Sequence, residues 1–101
     1  MIKVKIIKEE NLISKIEIKG HSLYAVYGKD IVCAGVSTMV ITTVNAIIRY
    51  QEKSISYNQD EGYVFLVVKE HDRVIDLLLE NLISLLKELE KQYPKNIKIN
   101  E

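Results

Sequence analysis

From Ile31 to Ile48 the chain runs eighteen residues without a charge, and this run restricts the possible folds more than any other stretch. Its length invites comparison with a membrane span. A strand is excluded, because strands usually take about five or six residues. The polar positions argue for a helix of a soluble protein. Thr38, Thr42, Asn45 and Arg49 share one helical face, and Val36, Val40, Val44 and Ile47 share the opposite one. Many of its residues are β-branched, which lowers intrinsic helicity, so the helix is expected to be mostly buried and held by packing against a sheet. Ala34 and Gly35 would let another backbone approach near its start.

The flanking patterns supply that sheet. Met1 to Ile7 alternates Ile2, Val4 and Ile6 with Lys3 and Lys5, the period of a half-buried strand. Lys8 to Asn11 reads as a turn, and Ile13 to Lys19 as the returning strand of a hairpin with one wet face. Gly20 to Lys29 keeps neither period and reads as a loop. After the helix, Ser54 to Gln59 and Gly62 to Val68 form a second hairpin, with Tyr63, Phe65 and Val67 on one face and Ile55 and Tyr57 pairing across from them. A second helix runs from about Asp72, a candidate cap, to Tyr93, with an apolar repeat at Val74, Leu78, Leu82, Leu85 and Leu89 and a stop at Pro94. His71 reads as a helix-start residue without a partner. Asn96 to Asn100 closes the chain as a short edge strand.

The order β-β-α-β-β-α-β predicts an α+β fold: a two-layer sandwich of a mainly antiparallel sheet with both helices on one face. Strand order does not follow from the pattern. At 101 residues and 11.6 kDa, residues 1–101 are expected to form one domain, since half that length buries too little core. The charges balance at zero, which removes any long-range pull toward nucleic acid or an anionic membrane and leaves only a local patch to provide one. One cysteine makes no internal disulfide and no export segment opens the chain, so a cytoplasmic location is expected.

The chemistry concentrates between Gly20 and Ser37. This segment holds the only cysteine, Cys33, together with His21 and three of the four glycines, Gly20, Gly28 and Gly35. A thiol, an imidazole and a loop leading into a helix are the parts of a cysteine nucleophile with a histidine partner. If the helix starts at Ile31, Asp30 is its N-cap and Cys33 its third residue, where amides lack helical partners. Such a site lowers a free thiol from about 8.5 to roughly 3.5–7.5, and the amide of Cys33 would stabilise an oxyanion. Ionised Asp30 would act in the opposite direction. Gly20 and Gly28 are candidate hinges for bringing His21 to the sulfur. The plainer reading stands beside this one: a lone cysteine between valines is commonly a small core residue, Asp30 only a cap, Ser37 only a packing residue, and Tyr24 and Tyr27 ordinary loop tyrosines. No metal-ligand spacing and no phosphate-binding glycine loop is present, so neither a metal nor a cofactor is expected.

Gly20-His21, followed by Tyr27-Gly28-Lys29-Asp30-Ile31-Val32-Cys33-Ala34-Gly35-Val36-Ser37 and then Val44-Asn45-Ala46-Ile47, resembles the ribosomal-processing cysteine protease family over the whole chain. The resemblance implies an endopeptidase that removes the N-terminal extension of a bacterial large-subunit ribosomal protein, cutting after an aromatic residue, as ribosome assembly requires. It makes His21 the catalytic histidine and Cys33 the nucleophile, with Asp30 and Ser37 in supporting positions. Gly20, Ser22, Leu23, Tyr24, Tyr27 and Gly28 would belong to a substrate loop, in which Leu23 to Lys29 is expected to be mobile until a peptide binds. Ser22-Leu23 departs from the alanine and small or polar residue usual there. The resemblance also implies a homodimer, while the charge balance and the polar face of the long helix lead to the expectation of no direct nucleic-acid binding and no membrane. Two competitors arise from the same residues: a noncatalytic ribosome-associated peptide-binding or assembly module, and a thiol-dependent hydrolase of small molecules.

Overall fold

Two antiparallel hairpins and one parallel strand make up a five-stranded sheet. This computed structural model describes residues 1–21, 29–60 and 62–101, with His21, Lys29 and Asp30 described by backbone alone. The elements are β1 (Ile2–Glu9), β2 (Leu12–His21), α1 (Lys29–Tyr50), a 3-10 turn (Glu52–Ser54), β3 (Ile55–Asp60), β4 (Gly62–Val68), α2 (Arg73–Gln92) and β5 (Ile97–Asn100). The sheet order is β3-β4-β2-β1-β5. Only the β1–β5 pairing is parallel, so the expected α+β architecture holds, and β5 lies at an edge.

Alternation fixes which face is dry. Ile2, Val4 and Ile6 of β1, Ile16 and Ile18 of β2, Val64, Leu66 and Val68 of β4 and Ile97 of β5 are all buried. Both helices cover this face and pack on each other. The hairpin of β1 and β2 turns on Glu10 and Asn11, at φ 53° and 67°, the left-handed pair that a two-residue type I′ turn uses. The turn is therefore two residues rather than Lys8 to Asn11, and β1 extends to Glu9. Lys8 pairs with Ile13 and Ile7 with Lys15, which leaves Ser14 as the extra residue of a bulge. Its hydroxyl donates to the Ile7 carbonyl at 3.1 Å.

Five expectations are corrected by the packing. Ile55 and Tyr57 pair with Val68 and Leu66, on the core face, rather than across from Tyr63, Phe65 and Val67. The buried stripe of α2 is Ile75, Leu79, Leu82, Ile83 and Leu86, while Val74 and Leu85 are exposed; in a leucine-rich helix two adjacent stripes share the helical period, and the sheet selects one. Asp72 does cap α2, accepting from the Ile75 amide at 2.9 Å, but His71 has a partner, Asp76, at 2.7 Å. Finally, α1 is not mostly buried. Only a third of the segment Ile31–Tyr50 is covered, and Ile31, Ile41 and Ile48 are exposed together with Thr38, Thr42, Asn45 and Arg49. What approaches Gly35 is the Leu89 side chain of α2, 3.7 Å from where a Cβ would stand, not another backbone, and Ala34 faces outward.

Candidate active site

The site is built where β2 passes into α1. The sequence pattern ends β2 at Lys19, but the strand continues through Gly20 to His21. Lys19 pairs with Tyr63 and His21 pairs with Gly62, so two residues of β2 oppose one of β4, with Gly20 as the bulged residue. A bulge of this kind re-aims the strand beyond it. Paired residues share a face, and Gly62 lies in register with Val64 and Leu66. The bulge therefore carries the register position of His21 from the open face, which simple alternation would give it, to the face that the helices cover. Gly20 is required for this. Its φ is +82°, and a Cβ there would come 2.5 Å from the Met1 carbonyl oxygen. Gly20 is thus a fixed strand residue rather than a hinge or a member of a loop.

The helix also starts earlier than expected. With α1 opening at Lys29, Asp30 is the second helical residue and not the cap, a position at which a carboxylate still favours the positive end of the helix dipole. Cys33 is the fifth residue. At that position its amide bonds back to the Lys29 carbonyl, so it is not the free oxyanion donor that a start at Ile31 implies. The dipole, too, acts mainly within the first turn. Cys33 is a free thiol with 8% of its surface exposed, at the rim of the core cluster beside Val32 and Val36.

One turn beyond Cys33, Ser37 joins Val36, Val40 and Ile41 of α1 and Tyr57, Gln59 and Val64 of the β3–β4 hairpin in lining a small cleft. The Tyr57 hydroxyl donates to Gln59 Oε1 at 3.1 Å, and burial pushes its pKa up, so it remains protonated. Neither Tyr57 nor Gln59 was singled out by the sequence; the signal was their i, i+2 spacing, which only the register of β3 turns toward α1. Ser22, Leu23, Tyr24, Tyr27 and Gly28 lie outside the described residues, and the expected mobility of the loop falls there too. No cluster of metal-ligating residues occurs among the described residues.

A strand-bulge-helix connection carrying a lone cysteine on an α+β sheet defines, by kinship, a class of cysteine peptidases. The family profile described as "Cysteine protease Prp" matches residues 1–98, and the chain belongs to that family. It is 32% identical to the ribosomal processing cysteine protease Prp of Staphylococcus aureus, covering 99% of this chain and 98% of the relative. Two crystal structures of the essential ribosomal processing protease Prp from S. aureus superpose closely. The complex with a substrate peptide gives a TM-score of 0.90 at 30% identity, covering 99% of this chain and 98% of that one. The complex with a covalently linked product peptide gives 0.87 at 31% identity, with the same coverage.

Proposed function

We propose that this chain is a cytoplasmic cysteine endopeptidase that removes the N-terminal extension of a large-subunit ribosomal protein, cutting after an aromatic residue, and that it works as one domain in a homodimer. The observation that carries the reading is the bulge at Gly20, which sets the register position of His21 on the helix-covered face while the same connection leads into the helix that holds Cys33. In this reading the Cys33 thiolate attacks the scissile carbonyl and His21 protonates the departing amine. His21 then takes a proton from water as the water attacks the acyl-enzyme, and the peptide acid leaves Cys33. Asp30 orients His21, and Ser37 belongs to the substrate cleft with Tyr57 and Gln59. The segment around Ser22, Leu23, Tyr24, Tyr27 and Gly28 closes on the peptide. The uncharged outer face of α1, with Ile31, Ile41 and Ile48, is the surface that a second copy would cover.

The near-burial of Cys33 favours one competitor, a peptide-binding assembly module in which the cysteine is only core. Incubation with the extended ribosomal protein separates them by mass spectrometry. The protease reading expects a single cut, lost in Cys33→Ser and in His21→Ala with binding retained. Binding without any cut would establish the module.

A further inference from the structure

The zero net charge of the chain is the sum of unequal surfaces. On the sheet face away from the helices, β1 presents Lys3 and Lys5, β2 presents Lys15, Glu17 and Lys19, and β5 presents Lys98. β3 adds Asp60, the cross-strand partner of Tyr63, so five of these seven charged groups are lysines. A solvated sheet face needs polar side chains, but nothing in folding requires them to share one sign; like charges brought together across neighbouring strands weaken the sheet. Lys3 and Lys19 are direct cross-strand partners, an arrangement of that unfavourable kind.

Beside the lysines, β4 presents Tyr63 and Phe65 on the same open face, both half-buried. Their rings lie 18° from parallel with centroids 6.3 Å apart. Lys19 Nζ stands 5.9 Å from the Tyr63 centroid, and the Tyr63 hydroxyl donates to Glu17 Oε2 at 3.3 Å. Glu17 also accepts from Lys19 at 3.1 Å, which fixes both side chains and neutralises one lysine. Lys3, Val4, Lys5, Glu17, Lys19 and Asn100 border an open depression of about 410 Å³.

We propose that this open face binds single-stranded nucleic acid, the lysines contacting phosphates and the Tyr63 and Phe65 rings stacking on bases. An acidic peptide would satisfy the lysines but leave two parallel aromatic faces without a use. A duplex would have no unstacked base to offer them. A lysine-lined platform with half-buried rings on an interior strand matches the two requirements of single-strand binding, a positive track and a stacking surface. The site is on the opposite side of the sheet from Cys33, so it stands whether or not the chain cuts a peptide.

The test is fluorescence anisotropy of the full-length protein with a labelled twelve-nucleotide oligouridine, alongside the matching DNA strand, an RNA duplex and polyglutamate. Single strands are expected to bind best, with log Kd rising against log salt at a slope of about 0.7 for each phosphate contacted. Lys5→Glu should weaken binding and reduce that slope. Tyr63→Leu with Phe65→Leu should weaken binding about five- to hundredfold while leaving the slope in place. Circular dichroism melts verify that each variant is folded, and Lys91→Glu on α2 serves as a charge-matched control that should bind as the parent does. Equal binding of RNA and DNA supports recognition of the shared single-strand chemistry. No binding at 50 mM salt, equal or tighter binding of polyglutamate or duplex, or indifference to both sets of substitutions would overturn the proposal.

Discussion

Glu80, Lys87, Glu88 and Lys91 spread both signs of charge over the water-facing side of α2, whereas α1 turns Ile31, Ile41 and Ile48 outward with no charge between Ile31 and Ile48. Both helices bury a complete stripe on the same sheet face. They differ in their outer sides: α2 is capped by Asp72 and strongly amphipathic, while α1 exposes isoleucines among Thr38, Thr42 and Asn45 and follows the strand that ends at His21. The contrast teaches that exposed apolar residues alone do not separate the helices, since α2 also exposes Val74, Leu77 and Leu85. What separates them is that those of α2 stand among charges of both signs, while those of α1 stand among uncharged polar residues, the surface that the proposed second copy would cover.

The largest effects should be shared by the two helices, because their inner stripes are equivalent. Ile47→Ala in α1 and Leu86→Ala in α2, both fully buried, should each cost about 2–5 kcal/mol in urea unfolding; a tolerant Ile47 would break the equivalence. Gly20→Ala comes next. The left-handed backbone alone costs about 1–2 kcal/mol, the Met1 carbonyl contact adds to it, and peptide cleavage should fall further than stability because the register position of His21 is lost.

The outer faces should then separate the helices. Leu77 of α2 is 66% exposed, and Leu77→Gln should stay within about 0.5 kcal/mol of the parent. If a second copy covers the outer side of α1 as proposed, Ile41→Gln should lower stability by about 1–2 kcal/mol in a concentration-dependent way. Light scattering should show dissociation for Ile41→Gln alone. The smallest effect is the pH dependence of the α2 cap. The Ile75 amide, and then the Tyr50 hydroxyl, hold the Asp72 carboxyl below its usual value. The folded state therefore binds this proton more weakly than the unfolded chain. Its contribution is complete above about pH 4 and disappears as pH falls through the lowered folded value. Asp72→Ala should remove that part of the acid transition and lower Tm by a few degrees.

Much of the fold was legible in the residues. Alternation in β1 and β2, and polar spacing in α1, identified the elements because each obeys a single period. The register was not legible. Ser14 and Gly20 are bulges; Ser14 leaves the composition of a strand unbroken and Gly20 reads as the start of a loop, so the face of His21 could not be read from counting. The start of α1 was misplaced by two residues because Lys29 and Asp30 suit a cap or a first turn equally, which moved Cys33 from the third helical position to the fifth. The stripe of α2 shifted by one residue because adjacent apolar residues, such as Val74 and Ile75, Leu78 and Leu79, and Leu85 and Leu86, offer two stripes at the same period. In the site, the sequence singled out Cys33, His21 and Ser37 by residue type, while Tyr57 and Gln59 came into view only through the pairing of β3 with β4.

The central claim is that Cys33, although nearly enclosed, is the atom that attacks a peptide bond. Intact-mass spectrometry of the protein mixed with a peptide spanning the ribosomal-protein extension tests it directly. The account predicts one cleaved bond, a transient acyl adduct mapped to Cys33, and neither product nor adduct with Cys33→Ser. Cleavage that persists unchanged in Cys33→Ser, or an adduct mapped to another residue, would contradict it.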